Sequence, residues 1–472
     1  MMPQAITGRR KEDFIMKTRT IQVILVILLT LATISLATPL DDYVAKPDPS
    51  YSFELVRTID HPRGKIYVID MKSQTWRSEK EVNRTLWQHW LTIIVPNDTA
   101  FDTALLFING GRNGGSAPSN PSGMLAEIAL QSKTVVADLR MVPNQPLVFA
   151  DDPGNDRYED AIIAYTFDKF LKKQDPTWPL LLPMVKSTVR AMDTVQSHVA
   201  KATDGKLAVN RFVVTGGSKR GWTTWLTAAV DKRVRAIAPI VIDVLNMNEQ
   251  MKHHYAAYGF YSSAIGDYED MKVLGQLDSD GGGEIRNFVD PYSYRSRYTL
   301  PKFLINSAGD QFFLPDSAQF YFDDLPGEKH ILYCANTDHG LDGSEADKAL
   351  LAWYQSILLE RSRPEFAWDI PEEGHVAVQT KTRPQKVVLW TATNPDARDF
   401  RLETIGKVWK DTPLSPTGGT AYHARVPAPE KGWTAYFVEL YFDSGTPVPY
   451  RFSTEVRVVP DTLPYADKLK TN

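Results

Sequence analysis

The middle of the chain carries the sequence Arg211-Phe-Val-Val-Thr-Gly-Gly-Ser-Lys-Arg-Gly-Trp-Thr-Thr-Trp-Leu226. Its aromatic and β-branched beginning favours a buried strand, and the segment after Ser218 is predicted to be a helix. Two glycines stand directly before the serine, an arrangement typical of the nucleophile elbow, where a strand turns sharply into a helix. Small residues are needed because the turn is tight and the serine backbone is strained. The stretch therefore predicts a serine hydroxyl exposed at the end of a strand.

The match to the elbow pattern is incomplete at one position. The common pattern is Gly-x-Ser-x-Gly, whereas here Arg220 stands at the second small position and the glycine follows as Gly221. A second interpretation therefore remains open, in which a Gly-Gly turn precedes a helix and Ser218 is only its N-cap residue. A phosphate-binding loop is excluded, because the spaced second glycine followed by Lys and then Ser or Thr is missing.

Strands and helices alternate on both sides of this turn. Apolar runs predict strands over residues 51–59, 65–71, 90–95, 104–108, 134–138, 212–214, 234–242, 303–306 and 330–333. Helical patterns cover residues 124–131, 158–172, 184–201, 316–322 and 344–359. The first three strands are expected to be antiparallel, and the others to form a parallel sheet with helices on both faces. The alternation breaks at about residues 243–300, so we predict an α/β-hydrolase fold over residues 45–363 with a cap insertion there.

The chain after Pro364 follows a different pattern. Turn clusters separate short apolar runs, which predict strands over residues 376–380, 386–390, 421–426, 433–441 and 450–459. We predict that residues 366–462 form a small all-β, sandwich-like C-terminal domain. Three of its tryptophans, Trp390, Trp409 and Trp433, fit either the core of this domain or a carbohydrate-binding surface.

The composition bounds the class of protein. Hydrophobic residues make up 43% of the chain and charged residues 23%, which is typical of a folded protein and not of a disordered one. The formal net charge is −4, so a role in nucleic-acid binding has no electrostatic support. The length of 472 residues is enough for two domains. The one cysteine, Cys334, cannot form a disulfide within the chain.

The N-terminal residues have the pattern of a signal peptide over residues 1–37. Lys17 and Arg19 precede an apolar run over residues 21–32, and small residues ending at Ala37 follow it. We therefore predict that the protein is secreted or periplasmic and keeps no stable membrane span after cleavage. An uncleaved membrane anchor is the alternative.

Two further interpretations concern this end of the chain. Met16 is a more conventional start for a signal peptide than the first residue, so residues 1–15 are interpreted as an N-terminal extension. Residues 38–50 are polar and contain prolines, and we expect them to form a tether into the fold.

Two later loops supply the partners that an elbow serine needs. Asp310 follows the predicted strand at residues 303–306, and His339 follows the one at residues 330–333. In α/β-hydrolases the acid and the histidine stand on loops after later strands, in the order Ser, Asp or Glu, and His. We therefore predict a catalytic triad of Ser218, Asp310 and His339.

Backbone N–H groups near the serine are predicted to bind the oxyanion that forms when Ser218 attacks a carbonyl. One is the N–H of Lys219 at the start of the helix. The other is expected from the glycine-rich loop over residues 109–115, where Gly111 is the candidate. Lys219 and Gly111 thus complete the predicted site.

Other acidic and histidine residues leave alternatives open. Asp243 follows the preceding strand and could orient the histidine in place of Asp310, whereas Asp338 is more typical of a solvated turn. His253 and His254 fall in the cap insertion, where we expect them on the surface of the lid.

One acidic turn in the cap insertion is similar to a calcium loop. The sequence Asp278-x-Asp280-Gly has the start of such a loop, but Val289 stands where the bidentate glutamate belongs. We therefore expect no metal and no cofactor.

Several segments resemble one known protein family. They are Trp87-Gln-His-Trp90, Asn109-Gly-Gly-Arg-Asn113, Val142-Pro-Asn-Gln-Pro146, Arg157-Tyr-Glu-Asp160, Trp178-Pro-Leu-Leu-Leu-Pro183, Gly216-Gly-Ser-Lys-Arg-Gly-Trp222 and Ala335-Asn-Thr-Asp-His-Gly340. Together they resemble the PhoPQ-activated pathogenicity-related proteins over nearly the whole mature chain. The resemblance implies an α/β-hydrolase fold, hydrolase-like chemistry and, in some members, export. A weaker likeness to glucuronoyl esterases is confined to the elbow, where a basic residue also follows the serine, as Lys219 does here.

The sequence thus predicts an exported serine hydrolase that cleaves an ester or peptide bond in a small-molecule or peptide substrate. The alternative is a secreted signalling or binding protein on a hydrolase scaffold, and a carbohydrate-binding surface protein is a third possibility. An exopeptidase would need acidic side chains to hold the substrate amine, and the candidates for that role are Glu127, Glu159, Glu249 and Glu269.

Overall fold

A computed structural model describes residues 37–471 of the chain. The predicted signal peptide and its extension therefore lie outside the described residues, with Ala37 as the one overlap. Among residues 37–471, no helix combines the length and the apolar character that crossing a membrane requires.

A nine-stranded sheet forms the centre of the fold. Its strands are β1 (Ser52–His61), β2 (Gly64–Thr75), β3 (Leu86–Pro96), β4 (Thr103–Ile108), β5 (Val136–Leu139), β6 (Arg211–Gly217), β7 (Val234–Ile240), β8 (Lys302–Ser307) and β9 (Lys329–Cys334). They lie in the order β1-β2-β3-β5-β4-β6-β7-β8-β9. Strands β1 to β3 are antiparallel, and β4 to β9 run parallel to one another. The predicted mostly parallel sheet with an antiparallel entry is confirmed.

Helices cover both faces of this sheet. They are α1 (Pro39–Ala45), α2 (Gly123–Ser132), α3 (Glu159–Lys173), α4 (Leu181–Ala202), α5 (Lys219–Val230), α6 (Met247–Tyr258), α7 (Gly266–Asp270), α8 (Asp280–Val289) and α9 (Ala346–Leu358). Successive residues of β6 enter opposite apolar clusters, because side chains alternate along a strand. Val213 clusters with residues of α2 and α9, and Val214 with residues of α4 and α5.

The segment between β7 and β8 is the predicted cap insertion, and it is helical. It contains α6, α7 and α8, separated by short 3-10 turns. The expected tether at residues 38–50 is partly wrong, because α1 occupies its first half. Leu40 and Val44 are one helical turn apart and both are buried, so this helix is held by its apolar side.

The chain after α9 forms two antiparallel sheets. Their strands are β10 (Phe366–Asp369), β11 (His375–Thr380), β12 (Lys386–Asn394), β13 (Lys410–Pro413), β14 (Ala421–Arg425), β15 (Trp433–Phe442), β16 (Tyr450–Ser453) and β17 (Arg457–Val459). One sheet has the order β10-β11-β14 and the other β13-β12-β15-β16, with β17 on β15. A short helix, α10 (Leu402–Ile405), lies between β12 and β13. The predicted all-β character is confirmed, although the strand expected over residues 450–459 is two strands.

The C-terminal sheets share an apolar core with the large sheet. Phe452 of β16 packs on Phe303 of β8 with ring centroids 5.4 Å apart, and on His330 of β9 at 4.1 Å. The Tyr333 N–H donates to the Ser453 hydroxyl at 3.0 Å. The chain from residue 39 onward is one compact unit, and the domain boundaries at residues 363 and 366 remain predictions.

The tryptophans Trp390, Trp409 and Trp433 have partners inside the C-terminal region. Trp409 is buried and packs on Phe437, with ring centroids 5.3 Å apart, and Trp390 stacks on the same ring at 6.4 Å. Trp390 donates its indole N–H to Glu439 at 2.8 Å, and Trp433 donates to Thr462. These contacts favour the core interpretation over a carbohydrate-binding surface.

Candidate active site

Ser218 joins β6 to α5 in a strained backbone conformation. Its φ is 58° and its ψ is −130°, a region that residues other than glycine rarely adopt. Its N–H donates to the Ile240 carbonyl at 2.8 Å, which ties the turn to the neighbouring strand. Within the described chain the serine side chain makes no capping hydrogen bond to α5. Ser218 therefore stands at the N-cap position of α5, but the side-chain bond by which a capping serine holds its helix is absent from the described chain.

The displaced glycine of the elbow has a steric explanation. A Cβ at Gly216 would lie 2.9 Å from the Ile108 oxygen, and one at Gly221 would lie 2.8 Å from the Gly216 oxygen. Arg220 is tolerated between them because its side chain leaves the turn. The guanidinium donates to the Val142 carbonyl at 2.7 Å and to both carboxylate oxygens of Glu159.

Asp310 and His339 are in direct contact. The Asp310 Oδ2 and His339 Nδ1 atoms lie 2.7 Å apart, and the Asp310 side chain is buried. The other Asp310 oxygen accepts the Phe312 N–H at 2.7 Å, and the His339 N–H donates to the Gln311 side chain at 3.1 Å. The two loops thus fix each other, and the His339 Nε2 atom is buried without a hydrogen-bond partner among residues 37–471.

The loops that carry these residues share one edge of the sheet. Strands β6, β8 and β9 end directly before them, and parallel strands present their carboxyl ends at the same edge. Ser218 and Phe312 line the same pocket. The Phe312 ring packs on that of His339 with centroids 4.3 Å apart. The structure therefore places Asp310 against His339 and brings Ser218 to the pocket beside them.

The two predicted oxyanion donors directly follow two neighbouring strands, β4 and β6. Lys219 is the first residue of α5, and the first N–H groups of a helix have no acceptor within it. Gly111 follows β4, which pairs with β6, and has a φ of 141°. The Gly111 carbonyl accepts from the Gln145 side chain at 2.8 Å, which holds the loop in place.

A charge network beside the elbow was not predicted. The Lys219 ammonium lies 3.0 Å from Glu159 and 2.9 Å from Asp160, at the start of α3. Burial acts to raise the pKa of Glu159, but Lys219 and Arg220 outweigh it and lower that pKa to about 2. The sequence signal is the pair of basic residues after the serine, but nothing local shows that they meet residues 60 positions earlier.

The alternative acids have other partners. Asp243 is buried and accepts hydrogen bonds from the Tyr321 hydroxyl and, at 2.5 Å, from the Tyr333 hydroxyl. Burial raises the pKa of Asp243 to about 7, although both tyrosines act to lower it. Asp338 accepts the Gly340 N–H at 2.9 Å, as a turn residue does. Asp310 is the carboxylate that touches the histidine.

The expectation that His253 and His254 lie on the lid surface is wrong. Both are buried in the cap. The His253 Nε2 atom lies 3.0 Å from an oxygen of Asp316, and the His254 Nε2 atom accepts the Ser262 N–H at 3.0 Å. Burial lowers the pKa of His254 to about 3, which keeps the ring neutral. In a polar stretch of sequence, a buried histidine with a hydrogen-bond partner cannot be distinguished from a histidine exposed to solvent.

A C-terminal segment, residues 398–409, touches both candidate loops. The Leu402 N–H donates to the Gly309 carbonyl at 2.9 Å, directly before Asp310. Arg398 is buried and donates to Asp316 at 2.6 Å.

The histidine loop is held by the same segment. The Asn336 side chain donates to the Trp409 carbonyl and accepts the Trp409 N–H, both at 2.9 Å. The 398–409 segment therefore holds the loops that carry Asp310 and His339, a role with no sequence signal.

The acidic turn that resembles a calcium loop has protein partners. Asp280 begins α8, and Asp278 accepts from Asn248 at 2.6 Å and lies 3.1 Å from the Lys252 ammonium. Within residues 37–471, no group of three or more His, Cys, Asp or Glu side chains could hold a metal ion.

A mostly parallel sheet between two helical layers, with a strained serine at the end of β6, defines an α/β-hydrolase fold. The chain belongs to the PhoPQ-activated pathogenicity-related protein family, whose sequence model matches residues 40–401. It is also similar to the autocrine proliferation repressor protein A of Dictyostelium discoideum, with 36% identity over 480 residues, 94% of this chain and 95% of that protein.

Two solved structures are similar to this chain at low sequence identity. Acetyl xylan esterase 1 from a Thermoanaerobacterium species has a TM-score of 0.46 and 13% identity, covering 69% of this chain and 93% of the esterase. The acylaminoacyl peptidase of Pyrococcus horikoshii has a TM-score of 0.41 and 12% identity, covering 69% of this chain and 52% of the peptidase.

Proposed function

We propose that this protein is an exported serine hydrolase that cleaves an ester or peptide bond through an acyl-enzyme. Ser218 is the nucleophile, His339 the general base and acid, and Asp310 the residue that orients the histidine. The contact between Asp310 Oδ2 and His339 Nδ1 carries the proposal. A carboxylate at Nδ1 holds the proton there, which leaves Nε2 free to accept one.

The reaction proceeds in two halves. His339 Nε2 takes the hydroxyl proton as the Ser218 oxygen bonds to the substrate carbonyl carbon, and the carbonyl oxygen becomes an oxyanion. The bond to the leaving oxygen or nitrogen then breaks, and His339 gives that atom its proton. Water then reacts with the acyl-enzyme through the same two steps, which releases the carboxylic acid product and restores Ser218.

Stabilisation of the oxyanion is assigned to the N–H groups of Lys219 and Gly111. Each such donor contributes about 3–4 kcal/mol to transition-state stabilisation in serine hydrolases. The side-chain pairs of Lys219 with Glu159 and Asp160 support this role, because they anchor the first turn of α5 that carries the backbone donor.

Active-site labelling tests the proposal. A fluorophosphonate probe should modify the wild-type protein at Ser218, whereas Ser218→Ala should not react and should lose turnover of any ester substrate by at least about 10³-fold. Ser52→Ala, an exposed serine of β1, is the matched control and should label normally. Folded wild-type protein that resists the probe would count decisively against a hydrolase.

A second function has a specific observation in its favour. The relative in Dictyostelium discoideum is named a repressor of proliferation, so a secreted signalling protein built on the same fold is the alternative. Conditioned medium containing Ser218→Ala protein separates the two, since a signalling role that needs no hydrolysis keeps its effect on cell proliferation in that variant. Detection of the mature protein outside the cell, with its N-terminus determined, tests the export that both functions require.

A further inference from the structure

An apolar pocket opens beside Ser218, and the reaction steps above do not use it. Its walls come from α3, α5, the segment after β7, the cap and the loop after β8, and they include Phe167, Trp222, Met251, Val273, Leu274 and Leu277. Aromatic and aliphatic side chains therefore surround the space next to the nucleophile. Such a lining favours an apolar group of the substrate, because burying apolar surface is favourable there and burying an unpaired polar group is costly.

The charged groups at the polar end of the pocket are already paired. Among the described residues that line the pocket, Asp160 is the one with an acidic side chain. It lies 2.9 Å from the Lys219 ammonium and accepts the Tyr268 hydroxyl at 2.9 Å. A substrate amine or carboxylate would therefore have to break an existing ion pair to find a partner.

The acidic residues that an exopeptidase would use are either engaged in ion pairs or outside the described lining of the pocket. Glu159 is bound by Arg220 and Lys219. Glu127, Glu249 and Glu269 are absent from the described lining of the pocket. Among the described residues that line the pocket, no unpaired carboxylate is therefore present to bind a free substrate amine.

The pocket is also small. Its cavity volume is about 50 Å³, whereas an apolar cavity of about 150 Å³ is the size that holds one benzene molecule. A short aliphatic chain fits such a space, and a long acyl chain or an aromatic ring does not.

We infer that this pocket binds a short, uncharged aliphatic acyl group of the substrate. The inference rests on the proposed serine hydrolase function and adds a substrate class to it. The cap supplies the wall formed by Met251, Val273, Leu274 and Leu277, so the insertion between β7 and β8 sets the permitted chain length. Among these, Leu274 is only partly buried, which makes it the residue to shorten with least damage to the core.

A series of p-nitrophenyl esters tests the inference on the full-length protein. The kcat/KM for the acetyl and butyryl esters should exceed that for the octanoyl ester by at least about tenfold, a ratio expected when extra methylenes do not fit. A succinyl ester, which matches butyryl in length but carries a charge, should be hydrolysed at least about tenfold less efficiently than the butyryl ester.

Two variants locate the effect in the pocket. Leu274→Ala should raise the hexanoyl to acetyl ratio of kcat/KM about tenfold, because the wall recedes by three carbon atoms. Leu359→Ala is the control, since that leucine is 45% exposed and lies outside the pocket lining, and its chain-length profile should equal that of the wild type.

The outcomes separate the inference from the function on which it rests. Fluorophosphonate labelling of Ser218 together with no chain-length preference, or with equal rates for succinyl and butyryl esters, would overturn the pocket assignment and leave the hydrolase intact. Chain-length dependence that Leu274→Ala does not change would also overturn it. Absence of both labelling and turnover in the wild type would remove the function and the inference together.

Discussion

The parallel-sheet region and the C-terminal β region contribute to the candidate site in different ways. The first carries Ser218, Asp310 and His339, each on a loop that directly follows a strand. The second supplies none of these side chains, but its 398–409 segment bonds to the loops that carry Asp310 and His339. The candidate chemical groups therefore come from one part of the chain, whereas some of the contacts that position them come from the other.

Two buried aspartates, Asp243 and Asp316, differ in whether their partners come from one region or from both. Asp243 sits at the end of β7, and its hydrogen-bond partners are neutral tyrosines, so burial raises its pKa to about 7. Burial acts in the same direction on Asp316, but Arg398 from the C-terminal region and His253 from the cap lower its pKa below the usual range. Asp316, which has a partner in the C-terminal region, is thus ionised. Asp243, which is paired within the first region, is not fully ionised.

Removal of the C-terminal region should disturb both the fold and the candidate site more than any single substitution. A chain ending at residue 363 would expose Phe303 and Trp353, which pack near Phe452, and would free both candidate loops. We expect it to be insoluble or to unfold without cooperativity, and to lose fluorophosphonate labelling. Near-ultraviolet circular dichroism and labelling measure this. A chain lacking only residues 470–472 is the control, and a soluble, labelled chain ending at residue 363 would show that the β region is dispensable.

Arg398→Met tests the buried ion pair between Arg398 of the C-terminal region and Asp316 of the parallel-sheet region. The substitution leaves the Asp316 charge buried with His253 and the Gln319 amide beside it but without the guanidinium. Losing one partner of a buried ion pair lowers the free energy of unfolding by about 3–5 kcal/mol. Urea unfolding measures this, and labelling of Ser218 should slow. The double variant Arg398→Met with Asp316→Asn should recover part of the loss, because the charge is gone. Equal stability of the single and double variants would contradict the pair.

Asp243→Asn tests the raised pKa of Asp243 through the pH dependence of the free energy of unfolding. Because the folded pKa of Asp243 is raised to about 7, its contribution to stability is complete below its unfolded pKa of about 4 and is lost as pH rises towards 7. The contribution falls by at most about 1.4 kcal/mol per pH unit in that window. Urea unfolding between pH 5 and pH 8 should show a shallower decline in Asp243→Asn than in the wild type. Identical slopes would refute the assignment.

Asn336→Gly gives the smallest expected effect. It removes the two hydrogen bonds to the Trp409 backbone and keeps the positive φ of 57°, which glycine accepts without strain. We expect a loss of about 1–2 kcal/mol in the free energy of unfolding and slower labelling of Ser218. A variant that labels at the wild-type rate would show that this link does not position His339.

The fold was predictable where its signals are local. The apolar runs before Ser218, Asp310 and His339 mark buried parallel strands, and glycine or polar residues mark their ends. That pattern is enough to predict an α/β sheet with three candidate side chains at one edge. The order of the strands and the direct contact of Asp310 with His339 depend on distant pairing, which a run of apolar residues does not specify.

The contacts that were not predicted join residues far apart in the chain. Lys219 meets Glu159, and Arg398 meets Asp316, through ion pairs whose members look like ordinary surface charges in the sequence. His253 and His254 look solvated for the same reason, because their buried partners are not adjacent. Polar residues are assigned to the surface by default, and that default fails wherever tertiary structure supplies a partner.

The position of the 398–409 segment has a consequence for biosynthesis. Translation produces the serine, the acid and the histidine long before it produces this segment, so a nascent polypeptide holds the reactive groups without the contacts that fix two of their loops. The contacts of this segment with the two candidate loops can therefore form only after almost the entire polypeptide has been synthesised.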